Sequence, residues 1–286
     1  IGVAFFVTSY GANWRIAFWI GAAIAIVSMF ARTRLRETPD FLEMKRKWLK
    51  KEIHETNIEC DPLHGAEFNS TWKEPVEGKT LMSYFFISCG GPLTVYLAYF
   101  YFNSILQNNF GYSSGDIIKH NFFLALAFVF FGSFITFLSY YVHPLKITKA
   151  RGVGALLLMI CIPFLIMNAT SAIQLFIIQA LILMAAFHDM PSAAVFMSHF
   201  PLYRRVTYAS LLWSISRALV YAVTSFGLVY LSSAFGHYGI WVISLPVGIG
   251  FLYGIKHFEG LERKRGWYPS KSQTPSYPQD PVSQVA

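Results

Sequence analysis

Two ionisable side chains stand deep inside long apolar runs: Asp189 in "MAAFHDMPSAAV" and Arg217 in "LLWSISRALVYAV". A charge at mid-bilayer costs at least ~2.5–3.5 kcal/mol and normally faces the interior of a helix bundle. If both runs are helices, each residue lies roughly 12–15 Å from the same end of the bundle. Consecutive antiparallel helices at equal depth can pair them. The expectation is an Asp189–Arg217 ion pair, either bordering a hydrated solute path or serving as a purely structural salt bridge. His188, beside the acid, reads as a polar core residue or as a proton relay.

A second set of residues lies in "LMSYFFISCGGPLTVYLAYFYFNSIL". The Gly90-Gly91-Pro92 triplet is expected to interrupt a helix and turn free backbone groups toward a cavity. Beyond it Tyr96, Tyr99 and Asn103 recur at steps of three and four, which places them on one helix face. Such a face can hold a quaternary ammonium by cation–π attraction of ~0.5–2 kcal/mol, or can simply meet lipid at the interface. His54, Cys60 and His64 are too scattered within a loop to make a metal site. There is no Walker loop, GxSxG or HExxH pattern. No metal, no cofactor and no enzymatic catalysis are expected.

What positions these residues follows from composition. The chain has 286 residues, of which 55% are hydrophobic and only 13% charged. Soluble domains carry about a quarter charged residues, so most of this surface cannot face water. Seven apolar runs, 14–31, 81–104, 119–142, 152–168, 172–197, 206–232 and 238–257, are long enough to read as membrane helices. The fold class is therefore all-α integral membrane. Its partition is a stub and external loop (1–13), one transmembrane helix (14–31), a basic loop (32–80), a six-helix bundle (81–257) and a disordered tail (258–286).

Lysine and arginine set the orientation. They crowd into 32–80, into "HPLKITKAR", into Arg204–Arg205 and into the tail, and they are missing from the turns between. This alternation puts the basic turns in the cytoplasm, the N-terminal end outside and the C-terminus inside. The net charge of +8 thus reflects anchoring against anionic lipid, not nucleic-acid binding. The opening "IGVAFFVTSY" has neither an initiator Met nor a basic leader, and it reads as the tail of an earlier span.

The segment "NWRIAFWIGA…ARTRLRETPDFLEMKR" resembles a stretch of the major facilitator superfamily, in its metabolite–proton symporter branch, which includes the proline/betaine transporters. There a similar segment opens the sixth helix, and an E-T-P-x-F-L-E motif, here Glu37, Thr38, Pro39 and Phe41 onward, begins the central cytoplasmic loop. "FPLYRRVTYASL" is similar to the segment between helices ten and eleven, with Phe200, Pro201, Arg205 and Thr207 in register. Two departures are visible. Tyr140 and His143 stand where the family carries an acid and a glycine in the turn between helices eight and nine. Ala222 and Val223 stand where helix eleven of the family has paired glycines.

The resemblance implies helices six to twelve of a multi-pass transporter in the plasma membrane, specifically a bacterial inner membrane. The implied partners are the lipid bilayer, a small-molecule substrate with a proton, and the missing N-terminal helices of the same transporter. The function implied is proton-coupled symport of a small polar metabolite such as betaine, proline or a carboxylate. The alternatives are a decayed or split fragment without activity, and a seven-helix receptor-like protein. The receptor reading lacks its markers: there is no central Lys in the last run, no D/E-R-Y triplet and no NPxxY.

Overall fold

Backbone N–H and C=O groups in hydrocarbon have no water to bond, so an isolated apolar segment must satisfy them within itself as helix. The computed structural model describes residues 1–11, 13, 15–34, 76–201 and 204–268, and its regular structure there is helical throughout. Glu37, Thr38, Pro39, Phe41, the His54–Cys60–His64 set and the tail beyond Tyr268 lie outside the described residues.

The helices are α1 (Gly2–Ser9), α2 (Arg15–Arg34), α3 (Gly78–Phe110), α4 (Ser114–Leu138), α5 (Pro144–Met167), α6 (Ala172–Ala185), α7 (Ala193–Ser198), α8 (205–235) and α9 (Gly239–Lys264). Among the described residues five stretches are long and apolar enough to cross a membrane. The last of them, Arg205–Lys264, doubles back at Gly236, whose φ of 57° suits glycine, and so yields both α8 and α9. Local chemistry sets the other ends. Ser113 accepts the Asp116 N–H and caps α4. Pro144 occupies the first turn of α5. Gly111, at φ 65°, closes α3 in the left-handed conformation.

The run at 172–197 departs from expectation. Its helix, α6, stops at Ala185, and a non-helical stretch then leads into the six-residue α7. Pro191 explains part of this, since proline disfavours helical backbone in the residue before it. The freed carbonyls have a partner: Arg151 on α5 donates to Met184 O at 3.2 Å and to Met190 O at 2.9 Å.

Gly90-Gly91-Pro92 does not break α3; the α-helix continues through Pro92 to Val95. The irregularity comes just afterwards, as a π-helical turn over Tyr96–Tyr101. Gly90 instead permits close packing. A Cβ there would stand 2.5 Å from Phe187 Cβ and 2.6 Å from Phe187 O. Across α9, a Cβ at Gly254 would meet Ser83 O at 2.6 Å, and one at Gly248 would meet Leu156 and Phe187 at 2.8 Å. Small residues let membrane helices approach when no water is available to drive them together. α3 thereby becomes the centre of the bundle, packed against α8 and α9, while α5 packs on α9 and α6.

The outer surface is apolar. Phe130, Phe134 and Phe137 of α4 are exposed, as are Trp19, Val27 and Phe30 of α2. α1 lies along α4, with Phe5 stacked on Phe122 at 4.2 Å.

Candidate functional site

Polar groups inside this bundle gather toward its two ends. At the end away from the basic turns, the π-turn leaves the Ala98 carbonyl to a partner on another helix. Gln179 of α6, fully buried, donates its amide N–H to Ala98 O at 2.8 Å. Its amide oxygen lies 2.6 Å from His120 Nε2 on α4. The amide nitrogen is committed to a carbonyl, so the oxygen accepts and His120 donates from Nε2. Nδ1 is then the acceptor of the neutral ring and the place for a second proton. Phe176 and Tyr112 meet the imidazole edge-on at 5.2 and 6.2 Å.

One residue along α4, Asn121 donates to Asn103 Oδ1 at 3.0 Å, while its own Oδ1 is buried and unbonded among the described residues. Tyr101 meets His237 Nδ1 at 2.7 Å in the turn before α9. Together these form a polar seam linking α3, α4, α6 and the Gly236–Tyr238 turn.

Of the tyrosines expected on one face of α3, Tyr96 stacks on Phe100 at 5.5 Å and Tyr99 is half-buried against the core. The π-turn spanning both replaces the α-helical spacing on which that face was based. Asn103 falls just past it and joins the seam through Asn121.

The expected Asp189–Arg217 ion pair does not form. Asp189 sits in the non-helical stretch after α6, so its depth does not follow a helical rise. Its Oδ1 stands 2.9 Å from His188 Nδ1, and the cation coupled to it is Arg151. Arg217 lies over the Trp213 ring, 3.9 Å from the centroid, with its Nε buried and unbonded among the described residues. His188 Nδ1 also receives the Met190 N–H at 3.1 Å. An unprotonated Nδ1 accepts that N–H, whereas a protonated one donates to Asp189, so the two contacts are alternatives.

The basic end is tied by ion pairs. Glu259 of α9 receives Lys149 of α5 and Arg263, each at 2.6 Å. His199 Nε2 meets Glu262 at 2.8 Å, with both side chains buried. Thr148 and Ser192 share a 2.6 Å hydrogen bond, and Thr80 lies 3.0 Å from His257. Of the residues following α7, Phe200 is buried edge-on to Tyr84 at 5.3 Å. Pro201 lines a groove, Thr207 is exposed, and Arg205 starts α8 with a buried Nε that is unbonded among the described residues.

His120, Gln179, Asn121 and Arg151 were not anticipated as site residues. The first three are neutral, and a search for charge in apolar runs passes over them. Their signal was a histidine followed by an asparagine inside one run and a glutamine in the middle of another.

Compared with known protein families, residues 1–225 match the Major Facilitator Superfamily. No curated protein and no solved structure matches the chain.

Proposed function

Because the chain belongs to the major facilitator superfamily, a family of membrane transporters and not of enzymes, we propose that it forms helices six to twelve of a proton-coupled symporter. Its solute is a small polar metabolite such as betaine, proline or a carboxylate. The observation that carries this reading is the His120–Gln179–Ala98 relay at the π-turn of α3. π-turns within helices occur frequently at functional sites, and buried polar groups are retained in membranes mainly along solute and proton paths.

Solute passes beside the seam, with Asn103 at its wall, Tyr96 and Tyr99 in the π-turn just before it and a second helix bundle supplying the other wall, as in transporters with a midplane site. His120 takes the coupled proton at Nδ1 while Nε2 holds Gln179. At the basic end, Asp189 and His188 act as a second protonation point. Gain of a proton by His188 exchanges its Met190 contact for the Asp189 carboxylate. The protein resides in a bacterial inner membrane with its basic turns in the cytoplasm.

Radiolabelled betaine, proline and a dicarboxylate, offered to proteoliposomes with and without an imposed proton gradient, test this reading. The expected result is gradient-stimulated accumulation of one of the three. Accumulation no greater than in protein-free liposomes for all three, from a folded preparation, contradicts it and identifies an inactive product.

A further inference from the structure

A groove of about 610 Å³ opens at the basic end, between the first turn of α3, the residues that follow α7, and the last turns of α9. Its walls divide by chemistry. Val76, Phe200 and Leu261 are apolar, whereas Lys264 and Arg265 bring two cations against the single carboxylate of Glu77.

The neighbouring acids are already committed. Glu262 accepts a hydrogen bond from His199 at 2.8 Å, and Glu259 is shared by Lys149 and Arg263 at 2.6 Å. Among the described residues neither Lys264 nor Arg265 forms an ion pair; Arg265 reaches the Ser198 hydroxyl at 3.4 Å. Lys79 and Lys264 both act electrostatically on His257, the partner of Thr80 at the groove wall, with Glu77 opposing them. The field at the groove is therefore cationic.

We propose that this groove binds the headgroup of an anionic phospholipid, with its phosphate against Lys264 and Arg265 and the start of its acyl chains along Val76, Phe200 and Leu261. Basic pockets between the ends of membrane helices attract anionic headgroups, and an apolar wall beside the charge fits the glycerol and first methylenes. A free phosphate would satisfy the cations and leave that wall bare, which selects the lipid. The assignment requires that the chain reside in a bilayer, but not that it transport a solute.

Native mass spectrometry of the detergent-purified full chain provides the test, with phosphatidylglycerol and phosphatidylcholine titrated separately and inorganic phosphate added as competitor. Phosphatidylglycerol should bind one per chain, roughly tenfold or more tighter than phosphatidylcholine. Lys264→Ala with Arg265→Ala should abolish that preference, whereas Lys119→Ala at the opposite end should preserve it. Glu77→Gln, which removes the opposing carboxylate, should strengthen binding of the anionic lipid. Equal affinity for the two lipids, a preference surviving in the double variant, or displacement of the lipid by millimolar phosphate would each overturn the assignment.

Discussion

The indole N–H of Trp241 on α9 reaches the main-chain oxygen of Met159 on α5 at 3.1 Å. That oxygen would ordinarily receive the N–H four residues later, but position 163 is a proline inside α5 and has none. A side chain from one helix thus completes the hydrogen-bond ladder of another. Trp241→Phe keeps an aromatic ring, leaves Met159 O unbonded, and should cost roughly 1–2 kcal/mol. In a Pro163→Ala background the helix regains its own N–H, and the Trp241→Phe cost should shrink. A double-mutant cycle by thermal denaturation in detergent measures the coupling; additive effects would refute this relationship.

Two adjacent glycines in α3 have opposite roles. Gly90→Ala forces a Cβ to within 2.6 Å of the Phe187 backbone oxygen, which cannot move like a flexible side chain, whereas Gly91→Ala meets nothing within 4 Å. The first should destabilise by about 1–3 kcal/mol. The second should be neutral or stabilising by up to about 1 kcal/mol, because alanine favours helix. Denaturant titration of both variants separates them, and equal behaviour would contradict the close approach of Phe187 to α3.

Gln179→Leu preserves bulk but strands both Ala98 O and His120 Nε2–H. With membrane hydrogen bonds measured at about 0.6–2 kcal/mol each, the loss should total about 1–3 kcal/mol. Solute accumulation should fall to background. Full accumulation by this variant would remove Gln179 from the working site.

Acid should weaken the basic end. Burial pushes His199 below its ordinary 6.5, Arg265 pushes the same way, and Glu262 opposes them. Burial also lowers His143, against Glu262 and with Lys146. A histidine whose folded value lies below its unfolded one binds more protons when unfolded. The stability it supports is therefore intact above about pH 6.5 and is lost as pH falls toward the folded value. The melting temperature should drop between about pH 7.5 and pH 5.5, and less steeply in His199→Gln, which keeps a donor for Glu262. An identical drop in the variant would show that His199 is not the titrating group.

The membrane helices were legible because hydropathy is a property of composition: six of the seven apolar runs fall largely within long helices, although polar ends extend some of them, to Pro144 where the run starts at 152 and to Lys264 where it stops at 257. The seventh, 172–197, misled because its apolar residues continue past Ala185, where the helix ends. Arg151 looked like one more flanking charge of "HPLKITKAR"; only the fold shows that it turns back to Met184 and Met190. Asp189 is an unusual charge for an apolar run, but equal counting along two helices pairs it with Arg217, and one of those helices stops short. The π-turn had no residue signature beyond Pro92 one turn earlier. The His120–Gln179 contact joins residues 59 apart on neutral side chains, so neither charge nor periodicity could disclose it.

The most direct test of the account compares wild type with His120→Gln in one proteoliposome preparation, using whichever solute the wild type accumulates. The variant keeps an N–H for Gln179 but has no second site for a proton. The account predicts that equilibrative solute exchange survives in the variant while accumulation driven by a proton gradient is lost. Wild-type accumulation indifferent to the gradient, or a variant that concentrates solute as well as wild type, would contradict it.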